Sequence, residues 1–257
     1  MSAVARTTIG FDRSIDIEWL DATAARVARG ESPEAIRKFL WDFLEDVVPG
    51  DTHSSGRGKT LTVLTRIWVL VPEQAKPLRR AALRCIASAT GEQRIAIHWS
   101  MVIGTHPFFC DVAANVGKLL ILNRQANRSQ IRRRMTEVWG DRSTLERTIQ
   151  QVLRSMVQWG LLRLGQDKGS LLAPLLRIPI NDEVSELLLH AVLLGHGHGL
   201  PLSQLTGHPA LFPFDVRLSA ATLRKSSSML VQRQGDQADF VELGQRAGNS
   251  PAEVYSK

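Results

Sequence analysis

The sequence has few cysteines and no long apolar stretch. Cys85 and Cys110 are its two cysteines, and their spacing fits neither a zinc site nor a redox pair. We expect both to be reduced core thiols of a cytoplasmic protein. No uncharged apolar run approaches the ~18 residues of a membrane span. Residues 1–12 also lack the basic-then-apolar order of a signal peptide, so we predict a cytoplasmic location and no membrane partner.

A complete phosphate-binding loop is also missing. Residues 56–60 read Gly-Arg-Gly-Lys-Thr, but His53 occupies the position that requires the first glycine of the motif. We predict a polar loop over residues 50–59 instead of a nucleotide site. In an alternative interpretation, Arg57 and Lys59 make this segment a basic loop that touches DNA phosphates.

No motif of metal binding or catalysis is complete. His196 and His198 alternate with glycines, but carboxylates and cysteines are missing at the spacing of a metal site. We interpret this segment as a connector and expect no metal and no cofactor. No serine, cysteine or carboxylate pattern indicates a catalytic site, so the chain is predicted not to be an enzyme.

Positive charge is in excess and unevenly distributed. The chain has 32 Lys and Arg against 25 Asp and Glu, a net charge of +7. Between Asn123 and Arg154 lie eight arginines and three acidic residues. Such an excess favours a polyanionic partner, either nucleic acid or an anionic membrane, although a basic protein without such a partner fits the charge equally well.

The pattern of apolar residues predicts a mainly α protein. Ser32 followed by Pro33 is typical of a helix start, and the helix it begins is expected to reach residue 47. Four parts are predicted: an N-terminal helical bundle (13–106), a winged helix-turn-helix (107–180), a second winged-helix-like module (181–243) and a disordered tail (244–257).

The second predicted part has the element order of a winged helix. A helix over 108–122, a link over 123–128 and a helix over 130–139 precede a turn at Gly140 and a long helix that ends near Trp159. Two strands over 161–164 and 170–180 follow, joined by a turn. The third part has a similar order without a direct sequence repeat, including a helix over 217–226 capped from Asp215 and a hairpin over 229–243.

The long helix after Gly140 is predicted to enter the DNA major groove, as the second helix of such a pair does. One side carries Leu145, Ile149, Val152, Met156 and Trp159. The other side carries Ser143, Thr144, Arg147, Gln150, Gln151, Arg154 and Gln158, with Glu146 on its flank.

These polar residue types match the chemistry of DNA. Arginine donates two hydrogen bonds to guanine, glutamine pairs with adenine, and serine and threonine bind phosphates or bases. The candidate DNA-binding residues are Arg132, Arg133 and Arg134 for phosphates, Arg142, Ser143 and Thr144 before the helix, Arg147, Gln151 and Arg154 for the groove, and Lys168 at the wing. The alternatives are another nucleic acid, or a protein–protein adaptor that uses its winged helices as docking surfaces.

Three segments resemble the BrxA family of BREX phage-defence systems. They read RIWVL (66–70), DVAANVGKLLIL (111–122) and STLERTIQQVLRSMVQWGLL (143–162), and the similarity in element order spans about residues 15–180. The resemblance implies a helical DNA-binding accessory protein of a bacterial anti-phage system, with double-stranded DNA and other defence proteins as partners. It implies no catalytic residues and leaves the oligomeric state open. The module over 182–243 departs from the compact family pattern.

Overall fold

The structure is a computed structural model that describes residues 9–234 and 238–244. Those residues form eleven α-helices and eight short β-strands, so the expected mainly α class is confirmed. The predicted disordered tail lies outside the described residues, apart from Gly244.

Five helices form the N-terminal part of the chain. They are α1 (Ile17–Ala28), α2 (Pro33–Phe43), α3 (Gly56–Trp68), α4 (Lys76–Ile86) and α5 (Gly91–Thr105). The Ser32 side chain caps α2 by accepting a hydrogen bond from the Ala35 amide, as the sequence predicts. Helix α2 stops before residue 47, and in the turns that follow it Glu45 comes within 3.6 Å of the Arg57 guanidinium.

The predicted polar loop over residues 50–59 is wrong in its second half, because α3 already begins at Gly56. Ser55 caps this helix and accepts a hydrogen bond from the Gly58 amide. Gly58 lies directly against the preceding loop: a Cβ atom there would be 2.3 Å from the His53 carbonyl oxygen. The start of α3 therefore depends on a contact that only glycine allows.

The middle part contains three helices and a three-stranded sheet. Its elements are α6 (Pro107–Asn123), β1 (Gln125–Asn127), α7 (Arg128–Trp139), α8 (Leu145–Gln158), β2 (Arg163–Leu164) and β3 (Ser170–Leu172). Strand β3 pairs antiparallel with both others, which gives the order β1-β3-β2. Arg124, in the left-handed conformation with φ 56°, turns the chain from α6 into β1, a strand that the sequence did not predict within the link 123–128.

The predicted strand over 170–180 is also interrupted. It ends at Leu172, shortly before Pro174, which has no amide hydrogen for a ladder. The chain resumes as β4 (Ile178–Pro179), which pairs in parallel with β6 (Phe214–Asp215) instead of extending the first sheet.

The last part repeats this order of elements with β6 inserted before its third helix, and its second and third helices are shorter than those of the middle part. It comprises α9 (Asp182–His196), β5 (Leu200–Pro201), α10 (Leu202–Thr206), α11 (Ala220–Leu223), β7 (Met229–Gln234) and β8 (Ala238–Leu243). The sheet order β5-β8-β7 matches that of the first sheet, since the last strand again lies between the other two. Helix α11 is shorter than predicted and is capped by Ser219, because Asp215 belongs to β6 and pairs with Arg217.

One hydrophobic core runs through all three parts. The fully buried Trp99 of α5 makes edge-on contacts with the rings of Phe109, Trp159, Phe212 and Phe214. Its indole nitrogen donates a hydrogen bond to the Ala210 carbonyl at 3.1 Å. The predicted boundary after residue 106 falls between α5 and α6, and the one after residue 180 falls just before the next helix, while the apolar packing continues across both.

Candidate nucleic-acid interface

Helix α8 has the two sides that its sequence predicts. The five residues predicted to form its apolar side are all buried: Leu145, Ile149, Val152, Met156 and Trp159, which lies just after the helix. Two small polar residues, Thr148 and Ser155, are buried as well. The apolar side packs against α6 and α7, which leaves a narrower polar surface than the helical wheel suggests.

The N-terminal segment, residues 9–16, covers one edge of this polar surface. The Ser14 amide donates to Gln151 Oε1 at 3.1 Å, and the Ser14 hydroxyl donates to Gln158 Oε1. The Ile15 amide donates to the Ser155 hydroxyl at 2.9 Å. Gln151 is therefore half-buried with its side-chain oxygen engaged, and it lacks the exposure expected of a base-reading residue.

Three exposed residues that lie away from the N-terminal segment form what we call the α8 stripe: Arg147, Gln150 and Arg154. All three are exposed, and their spacing of three and seven positions keeps them on one face of the helix. Within the described part of the chain, neither Arg147 nor Arg154 pairs with a carboxylate. The two guanidinium groups are therefore available to an external anion.

The three consecutive arginines of α7 do not act as one group. Successive residues on a helix point in different directions, and accordingly Arg132 and Arg133 are exposed whereas Arg134 is half-buried. Arg132 also lies 3.4 Å from Glu146, the acidic residue beside the α8 stripe. Both partners are more than half exposed, so this ion pair is weak and easily exchanged for a phosphate.

The remaining predicted residues lie at the two ends of this region. Arg142, Ser143 and Thr144 are exposed in the turn between α7 and α8. Thr144 is the last residue before α8, and its hydroxyl makes no capping hydrogen bond. Lys168 is exposed in the turn between β2 and β3, next to Gly169, whose φ of +83° favours glycine.

A groove at the start of α8 adds basic residues that the sequence analysis did not include in the site. It has a volume of about 430 Å³ and lies between the N-terminal segment, α3 and α8. Its charged lining residues are Asp12, Arg13, Lys59, Arg66 and Arg147. The spacing of seven residues between Lys59 and Arg66 would have indicated a shared helix face, but Lys59 was predicted to lie in the polar loop over residues 50–59.

The Gly-Arg-Gly-Lys-Thr segment does not form a phosphate cradle. It is the first turn of α3, where the Arg57 and Gly58 amides already donate to Pro49 and Ser55. Arg57 is 4% exposed, and its guanidinium donates to Asp51 at 2.9 Å. The interpretation that Arg57 touches phosphates is therefore wrong, whereas Lys59 is exposed.

His196, at the end of α9 and the start of the predicted histidine-rich connector, lies close to His208. The Nε2 atoms of His196 and His208 are 3.1 Å apart. Burial lowers the pKa of His208 to about 4, helped by the nearby charges of His196 and Lys118. Among the described residues no group of three or more His, Cys, Asp or Glu is placed to hold a metal ion.

No helix within residues 9–234 and 238–244 has the length and apolar character needed to cross a membrane. In comparisons with protein families, curated proteins and solved structures, the chain shows no match.

Proposed function

We propose that the chain is a cytoplasmic, non-enzymatic protein that binds double-stranded DNA through a winged helix over residues 107–180. The order helix, strand, helix, helix, strand, strand supports this assignment, as does the sheet order β1-β3-β2. In a helix-turn-helix pair the second helix enters the major groove, and here that helix is α8. The last part of the chain, with the same sheet order, would be a second winged-helix-like module.

The observation that carries the proposal is the α8 stripe. Arg147 and Arg154 of α8 are exposed and pair with no described carboxylate. Arginine is the residue that most often reads guanine in the major groove. Gln150 replaces Gln151 as the candidate for adenine, since Ser14 engages the Gln151 oxygen.

Phosphate contacts would come from residues around the stripe. Arg133 on α7 is exposed. Arg132 would have to give up its ion pair with Glu146, but an ion pair this exposed contributes little to stability. Lys168 in the turn between β2 and β3 would contact the backbone or minor groove as the tip of the wing. A role as an accessory protein in a bacterial anti-phage system is also proposed, on the BrxA resemblance of segments 66–70, 111–122 and 143–162.

The test is a double variant of the stripe, Arg147→Ala with Arg154→Ala. An arginine that contacts a base contributes about 1–3 kcal/mol, so duplex DNA affinity should fall by about 30-fold or more. The control is Arg80→Ala with Arg84→Ala, which removes the same charge from exposed positions of α4. Fluorescence anisotropy with a labelled duplex gives the affinities, and thermal melting verifies folding. Equal affinity of the two double variants would refute the proposal.

One observation favours the second candidate function, a protein–protein adaptor. Leu175 and Leu176 are 84% and 83% exposed, and Ile121, Leu122 and Leu164 are also largely exposed. The adjacent Leu175 and Leu176 expose apolar surface of the kind that protein interaction sites use. The two functions differ in salt dependence: DNA affinity driven by six or more phosphate contacts falls roughly 10³-fold or more between 50 and 200 mM salt, whereas an adaptor shows no such affinity.

A further inference from the structure

The groove between the N-terminal segment, α3 and α8 concentrates positive charge. Its lining includes the side chains of Arg13, Lys59, Arg66 and Arg147 and one carboxylate, Asp12. Asp12 Oδ2 lies 3.8 Å from an Arg13 guanidinium nitrogen, and that carboxylate is 45% exposed. The described residues leave Lys59, Arg66 and Arg147 without a carboxylate partner. Like charges that share a groove repel one another, and an anion would remove this repulsion.

Two elements from distant parts of the sequence build this site. Lys59, Thr62 and Arg66 lie on one face of α3, at spacings of three and four residues. Thr144, Arg147 and Thr148 come from the start of α8. The Thr62 hydroxyl donates to the Gly58 carbonyl, and the Thr148 hydroxyl donates to the Thr144 carbonyl. Thr144 is therefore the threonine whose hydroxyl remains available to an external acceptor.

Gly10, which lines the groove, lies beside the buried ring of His106. Gly10 has a φ of +67°, and a Cβ atom there would lie 3.6 Å from the His106 ring and 3.9 Å from the Arg66 guanidinium. Burial, together with the charge of Arg66, lowers the pKa of His106 to about 3. His106 is thus uncharged at neutral pH, and the charge of the groove comes from its four basic side chains and Asp12.

We infer that this groove binds a phosphoester group through Lys59, Arg66 and Arg147, with the Thr144 hydroxyl as a hydrogen-bond donor. Guanidinium and ammonium groups are the side chains that proteins use for phosphate. The volume of about 430 Å³ exceeds that of a bare phosphate ion and lies in the range of small-ligand sites. The phosphoester is either a backbone phosphate of bound DNA or a free nucleotide.

The DNA source rests on the proposed function, because Arg147 belongs to both the groove and the α8 stripe. A duplex that follows the stripe past the start of α8 meets the groove next. In that arrangement α3, from the N-terminal bundle, extends the DNA footprint beyond the winged helix. The free-nucleotide source requires no DNA binding at all.

Three variants separate these cases. The groove variant is Lys59→Ala with Arg66→Ala, the stripe variant is Arg154→Ala, and the control is Arg80→Ala with Arg84→Ala. Duplex DNA affinity is measured by anisotropy at several salt concentrations between 50 and 200 mM. Binding of inorganic pyrophosphate and of AMP is measured by isothermal titration calorimetry without DNA. Lys59, Arg66 and Arg154 are exposed, so the variants should fold, and thermal melting verifies this.

If the phosphoester belongs to DNA, the groove variant binds the duplex about tenfold or more weakly than the control. Its plot of log affinity against log salt also becomes shallower by about one for each phosphate that the variant no longer neutralises. If the ligand is a free nucleotide, wild-type protein binds pyrophosphate or AMP and the groove variant does not.

The inference is overturned if the groove variant matches the control in both assays. When that result accompanies a loss of DNA affinity in the stripe variant, the proposed function survives and the groove site does not. When wild-type protein binds pyrophosphate through the groove but binds no duplex, the proposed function fails and the groove site survives.

Discussion

Replacing Gly117 by alanine tests whether the core really continues from α6 into the last part of the chain. Gly117 lies in α6 against Pro209, and a Cβ atom at this position would be 2.0 Å from the Pro209 carbonyl oxygen and 3.2 Å from Phe212 Cβ. Ordinary contact begins at 3.4 Å, so the two backbones would have to separate by about 1.4 Å.

The size of the effect follows from two opposing contributions. Overpacking a tight core costs about 1–3 kcal/mol, and the upper end applies because the obstructing atom is backbone rather than a flexible side chain. Alanine is about 1 kcal/mol better than glycine inside a helix. We therefore expect Gly117→Ala to lower the free energy of unfolding by about 2 kcal/mol, a decrease in Tm of about 4–8 °C for a chain of this size.

Gly195→Ala is the matched control. Gly195 lies in α9 and is exposed, and a Cβ atom added there would meet nothing within 4 Å. The same substitution should therefore stabilise the protein by about 0.5–1 kcal/mol. Urea unfolding followed by tryptophan fluorescence measures the free energy of unfolding of both variants. Trp99 is a suitable probe because it donates a hydrogen bond to Ala210, beside the altered contact. If Gly117→Ala were as stable as Gly195→Ala, the close packing of α6 on residues 209–212 would be refuted.

Two further predictions concern buried basic side chains. His106, whose pKa is lowered to about 3 by burial, takes up a proton in the unfolded chain below its ordinary pKa of 6.5 but not in the folded chain. Its contribution to stability is complete above pH 6.5 and falls by up to about 1.4 kcal/mol per pH unit toward pH 3. A His106→Leu variant should lose this part of the slope in unfolding curves at pH 7, 6 and 5, and an unchanged slope would contradict the assignment. Arg57→Met should leave duplex DNA affinity unchanged in the anisotropy assay, since this guanidinium is held by Asp51. If Arg57→Met lost as much duplex affinity as Lys59→Ala, the conclusion that Arg57 does not contact DNA would be contradicted.

Covering one edge of α8 changes which residues are candidates for base contacts. The helical wheel treats Gln150 and Gln151 alike, but Ser14 engages Gln151 and leaves Gln150 exposed. The N-terminal segment therefore narrows the polar side of α8 to Arg147, Gln150 and Arg154. It also forms one wall of the basic groove, so the same segment both restricts and extends the candidate interface.

Local properties of the sequence determined much of the fold. The period of apolar residues identified the buried side of α8, because residues three and four apart share a helix face regardless of what packs there. Ser32 and Pro33 marked the start of α2, since capping involves neighbouring residues only. Gly235 and Asp236, which lie outside the described residues, separate two apolar runs in the sequence and predicted the hairpin of β7 and β8 for the same reason. Such features depend on interactions within a few positions of the chain.

Tertiary structure alone decided what depends on distant partners. Strand β1 exists because Gln125, Ala126 and Asn127 pair with β3, more than forty residues later, and three residues carry too weak a local signal to reveal it. Ser14 reaches Gln151 across 137 positions. The basic groove unites the N-terminal segment, α3 and α8. Local periodicity tells which side of an element is buried, but the identity of the covering segment is set by long-range packing, which no local pattern encodes.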